Sequence, residues 1–101
     1  MSFELLEPIR FPGDDYLIRL NITQVAYLVE LFRAIRENNP ALFDDPNVEA
    51  VNLQLLYQLG LHQCLRGDEQ QKASAPSALA MLQSRMRDLR KRVGLEGEPG
   101  A

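Results

Sequence analysis

Apolar and polar positions change rhythm along this chain. From residue 3 to 11, FELLEPIRF, the period is two: Phe3, Leu5, Ile9 and Phe11 fall on one side, and Glu4, Leu6, Pro8 and Arg10 on the other. A period of two belongs to a strand with one face buried. Pro8 has no N–H to give to a ladder, which confines such a strand to a sheet edge. PGDD at 12–15 is turn chemistry, and YLIRLN at 16–21 alternates again, with Tyr16, Ile18 and Leu20 on one side. The pattern predicts an N-terminal β-hairpin, which is marginal in water unless a helix or another chain covers its apolar face.

From Thr23 onward the rhythm is helical. A first helix is expected from Thr23, as cap, to Asn38, where Asn39 and Pro40 stop it. Val25, Tyr27, Leu28, Leu31, Phe32, Ala34 and Ile35 cover more than half of its circumference, leaving Glu30, Arg33, Arg36 and Glu37 as the polar stripe. A helix so widely apolar needs more than one neighbour. NPALF reads as a short turn. A second helix follows from Pro46 to Arg66, with Asp45 as cap, Pro46 in the first position, Glu49 near the positive end of the dipole and Gly67 as the closing residue. It carries two apolar stripes. One is Ala50, Leu53, Tyr57, Leu61 and Cys64, with Gly60 allowing a neighbour to come close; the other is Val48, Val51, Leu55 and Leu59. Gln54, Gln58 and His62 lie on a flank between them.

Residues 68–76, DEQQKASAP, are small and polar and read as a flexible linker. A third helix is expected over 77–94, and composition predicts a disordered tail at 95–101. In the third helix Leu79, Leu82, Met86, Leu89 and Val93 are spaced 3, 4, 3, 4, the seam of a short coiled coil. A parallel pair of such helices would set Arg85 against Arg90 of its mate, so an antiparallel pairing or an acidic groove is favoured. The fold class expected is therefore mainly α: a hairpin and two packed helices over 1–67, a linker, and a third amphipathic basic helix.

Charge sharpens this picture. The 101 residues carry a net −3, but unevenly. Residues 1–69 hold five arginines against eleven carboxylates, a net −6; residues 70–101 hold six cations against three carboxylates, a net +3. Opposite signs suggest that the two parts meet. The basic surface of the third helix, Arg85, Arg87, Arg90, Lys91 and Arg92, has three readings: a solvated face over an apolar stripe, a docking helix for another protein, or a nucleic-acid contact. The overall acidity and the lack of aromatic residues among these cations weigh against the last.

Candidate chemistry is sparse. His62 and Cys64 are the only residues of their kinds, and two positions apart on a helix they face different ways. Asp14–Asp15 and Asp44–Asp45 fit turns and caps, with no calcium-loop spacing after either. The glycines form no phosphate loop. NIT at 21–23 and RGD at 66–68 are accidental matches to a glycosylation acceptor and an adhesion tripeptide. No catalytic, cofactor or metal site is expected. One cysteine excludes an intrachain disulfide, and no secretory or membrane-spanning stretch is apparent, so a cytoplasmic setting without membrane contact is expected.

The expectation that follows is a small non-enzymatic assembly or adaptor protein. Its partner is a second copy of itself or another protein, as in a subunit of a larger particle (viral ones included) or a regulator. The expected partner-binding residues are Val48, Val51, Leu55 and Leu59 on the second helix and Leu79, Leu82, Met86, Leu89 and Val93 on the third. The alternative is a nucleic-acid-binding accessory protein that uses the basic helix.

Overall fold

A computed structural model describes Gly13, Asp14, Tyr16 and residues 18–94. Its elements are α1 (Ile22–Asn38), a short 3-10 helix (Pro40–Asp44), α2 (Pro46–Arg66) and α3 (Glu69–Arg92). The described residues contain no strand, which overturns the expected hairpin. Its first half, residues 3–11, lies outside the described residues. Of its second half, Tyr16 and residues 18–20 are described and approach α1 without strand structure. Alternation alone does not make a strand, because strand preference depends on the surroundings of each side chain.

The cap of α1 is Asn21, two residues ahead of the expected Thr23. Asn21 Oδ1 accepts from the Gln24 N–H at 2.9 Å, and Gln24 Oε1 accepts from the Asn21 N–H at 2.9 Å. This reciprocal pair occupies two of the donors a helix start leaves free. At the far end Asn38 Nδ2 donates to the Ala34 carbonyl at 2.8 Å, and Pro40 disfavours helical geometry at Asn39. The start of α2 is as expected: Asp45 Oδ1 accepts from the Asn47 N–H at 2.9 Å, with Pro46 in the first turn.

The stretch 68–76, expected to be a linker, is instead helical. Asp68 and Gln71 form a second reciprocal cap, with hydrogen bonds of 2.8 and 3.0 Å, so α3 begins at Glu69. Pro76 lies inside α3 and is not its start. It removes one backbone donor from the helix, and Ala75 before it is buried. Only Gly67 and Asp68 separate α2 from α3, and so tight a turn makes the helices antiparallel neighbours. Gly67 closes α2 in extended geometry (φ −75°, ψ 178°), not the left-handed form. What demands glycine there is space: a Cβ would lie 2.5 Å from the Gln63 carbonyl oxygen and 2.7 Å from Gln71 Oε1.

The core lies between α2 and α3. Leu53 and Tyr57 of α2 meet Leu79, Leu82, Met86 and Leu89 of α3, with Ala50, Leu56, Leu61, Cys64 and Val93 packed around them. Gly60 is the closest approach, since a Cβ there would sit 2.9 Å from Leu79 Cδ2. The coiled-coil seam read from sequence is therefore spent within the chain, on the first stripe of α2. On the other side of α2, α1 buries only Val25, and the 3-10 helix contributes Phe43. Phe32 meets the Phe43 ring edge-on, with centroids 6.1 Å apart, and the Arg36 guanidinium stands 4.6 Å from the Phe43 centroid.

Candidate functional site

One carboxylate joins all three helices. Glu49 Oε2 accepts from Arg36 Nη2 of α1 at 2.9 Å, and Glu49 Oε1 accepts from Arg85 Nη2 of α3 at 2.8 Å. The Glu49 side chain is 13% exposed, against 40% for Arg36 and 33% for Arg85. Both oxygens of a largely buried carboxylate thus hold charge-assisted bonds. The tie also fixes direction, with the end of α1, the start of α2 and the C-terminal half of α3 at one end of the molecule. The opposite charges of the two chain halves do meet here.

At the other end α1 and α2 leave a groove of about 790 Å³. Val25 and Leu55 line it where both are buried, while Leu61 and Leu65 extend the α2 wall. Ile18 and Leu20, from the segment that leads into α1, also line it. Gln54, Gln58 and His62 line it from α2 at spacings of four residues. Helix geometry sets them about 6 Å apart along the axis, one turn each. The groove is thus apolar with a row of neutral hydrogen-bonding side chains, and no carboxylate or arginine lines it.

Large apolar side chains remain in solvent around it. Tyr16 is 83% exposed, Ile18 79% and Leu65 67%. On α1, Tyr27 is 73% and Leu31 53% exposed, four positions apart and so on one face. The sequence placed Tyr16 and Ile18 on an apolar face that needs cover, though as part of a hairpin; the wide apolar arc of α1 was the signal for Tyr27 and Leu31, and Leu65 carried none.

The residues expected to bind a partner divide sharply. Leu79, Leu82, Met86 and Leu89 are buried in the chain's own core and Val93 packs against it, so the α3 seam is no free surface. On α2, Leu55 is buried at the groove, Val48 and Leu59 are half-buried, and Val51 is 51% exposed. Of the basic residues, Arg85 is bound to Glu49 and Arg90 is half-buried and engaged, whereas Arg87, Lys91 and Arg92 are exposed. Arg33 pairs with Glu30 one turn away on α1, and that hydrogen bond raises the guanidinium pKa further. His62 faces the groove while Cys64 packs toward the α2–α3 core, so the two are separated as their spacing implied. Among the described residues no three His, Cys, Asp or Glu side chains are grouped to hold a metal ion, and no helix is long and apolar enough to cross a membrane.

Compared with protein-family models, with curated proteins and with solved structures, the chain matches none.

Proposed function

We propose that this chain is a small non-enzymatic assembly or adaptor protein that associates with itself through the α1 side of the molecule. The observation that carries the reading is the set of large apolar residues left in water on and beside α1: Tyr16, Ile18, Tyr27, Leu31 and Leu65. Soluble chains seldom leave so many such residues in water unless something covers them: Tyr16, Ile18 and Leu65 line the groove, and Tyr27 and Leu31 lie on the outer face of α1. The surface differs from the one the sequence pointed to, because α3 is already used. A cytoplasmic setting fits the single cysteine, which has no partner thiol in the chain.

The test is size-exclusion chromatography with light scattering on the intact chain across a wide concentration range. A dimer or larger species is expected, shifted toward monomer by Tyr27→Ser together with Leu31→Ser. A strict monomer at the highest concentration overturns the reading.

A second reading, nucleic-acid binding, draws on Arg87 and Lys91, which are exposed four positions apart on α3 with Arg92 beside them. It predicts binding to duplex or single-stranded nucleic acid that weakens steeply with added salt and is lost on replacing all three by Gln. Absence of binding at low salt removes it.

A further inference from the structure

We propose that a second, smaller pocket between α1 and α2, beside the Glu49 tie, binds a small monocarboxylic acid with an apolar body. The pocket holds about 240 Å³. Val29 and Phe32 of α1 and Leu56 of α2 supply its apolar lining. Glu30, Arg33 and Arg36 of α1 line it as well, and Asn52 of α2 completes it. The site is separate from the self-association surface, since neither Tyr27 nor Leu31 lines it.

Asn52 is the residue that points to a ligand. It is 6% exposed, the one buried side-chain amide among the described residues, and that amide makes no hydrogen bond among them. Buried polar groups are nearly always paired, because losing water without gaining a partner is costly. An apolar residue at this position would carry no such cost. No fully enclosed side-chain nitrogen or oxygen among the described residues lacks a partner, so the unpaired Asn52 amide opens onto the pocket that it lines. A ligand that pairs with it supplies the hydrogen bond that folding leaves unmade.

Charge and size choose the ligand. Two arginines and one glutamate line the pocket, an excess of one positive charge. Arg33 pairs with Glu30, and Arg36 Nη2 donates to Glu49 at 2.9 Å. A guanidinium has about five N–H donors, so both arginines keep donors to spare. Asn52 Nδ2 adds another. A carboxylate can accept from all three side chains, with charge-assisted bonds to the arginines, whereas an ammonium group would face two like charges. The half-buried Val29, Phe32 and Leu56 take the carbon body. The volume of about 240 Å³ lies below the roughly 300–1,000 Å³ of sites for drug-sized ligands, so a nucleotide is too large and a short aliphatic acid fits.

The experiment titrates sodium hexanoate into the intact, isotope-labelled chain and follows its amide resonances by NMR. Saturable shifts are expected at the Asn52 side-chain amide and at the backbone amides of Val29, Phe32 and Leu56, with hexylamine producing none of them. Asn52→Leu is expected to keep the helical circular dichroism and to weaken hexanoate at least about tenfold, because it removes the buried donor. Arg33→Gln, at an exposed position, is expected to weaken it by a smaller factor and decides the matter if the leucine variant does not fold. Hexanoate binding unchanged in the folded Asn52→Leu chain, or failing that in Arg33→Gln, overturns the site. Hexylamine or hexanamide binding as well as hexanoate overturns the acid as ligand. No shifts in the intact chain, or shifts that appear only after residues 2–11 are deleted, overturn a free acid as occupant, the latter by giving the pocket to the chain itself.

Discussion

The two sides of α2 are equally apolar in sequence and unequally covered in space. Toward α3, Leu53, Tyr57 and Gly60 meet a seam of leucines and Met86, and these residues are all but sealed from water. Toward α1, Leu55 and Val25 are both buried, but the helices leave a groove that they line, and α1 carries Tyr27 and Leu31 outward. The difference lies in what each neighbour brings: α3 buries Leu79, Leu82, Met86 and Leu89, and α1 buries only Val25. Two residues, Gly67 and Asp68, join α3 to α2, whereas Asn39, the 3-10 helix and Asp45 stand between α1 and α2, with Phe43 buried there. The first side acts as a core and the second presents a binding surface, though one stripe looks much like the other in sequence.

The most direct way to break this contrast is to truncate one leucine on each side. Leu53→Ala, on the α3 side, is expected to destabilise by about 2–5 kcal/mol in urea unfolding, because the cavity left is enclosed. Leu55→Ala should cost clearly less, since its neighbours can relax into the open groove. Equal losses would mean that the α1 side is sealed as well. Next in size, Gly67→Ala should cost about 1–3 kcal/mol, because its Cβ would collide with the Gln63 carbonyl and force the turn apart. Gly60→Ala should cost less, since it meets only the movable end of Leu79.

Glu49→Gln tests the one link that spans both sides. It removes the charge that Arg36 and Arg85 share, and a loss of about 1–2 kcal/mol is expected, measured by thermal or urea unfolding. A double-mutant cycle with Arg85→Gln should show coupling above the level typical of exposed pairs. The smallest expected effect falls on the outer face of α1. Tyr27→Ser with Leu31→Ser should change the stability of the isolated chain by no more than about 0.5 kcal/mol, because more than half of each residue is exposed. Its consequence should appear in association instead, and a large loss of stability would show that this face is part of the fold.

Local signals were read with uneven success, and particular residues show why. Asp45–Pro46 gave the start of α2 correctly, and Gly60 was rightly read as a place of close approach. The cap Asp68 with Gln71 is as plain a helix start as any in the chain, yet the small polar residues around it and Pro76 further on read as a linker. Small polar composition pointed to a linker there, whereas the reciprocal bonds of Asp68 and Gln71 start a helix. The alternation at 16–20 read as a strand; no strand forms there among the described residues. The pairing of Glu49 with two arginines was foreshadowed only by the opposite charges of the chain's two halves, since which cation meets which carboxylate depends on helix register.

By itself, the sequence determined where α2 begins and ends, because the Asp45 cap, a first-turn proline and a crowded glycine act within a few residues of backbone. It also determined which positions seek cover from water. Which of those positions found that cover inside the chain was decided only by the tertiary structure. Hydrophobic burial has no direction of its own, and α3 could satisfy its seam on α2 or on a neighbour with much the same gain. The short turn at Gly67 and the bonds through Glu49 favour α2 in the same chain, and that choice leaves the groove beside α1 as the surface still open.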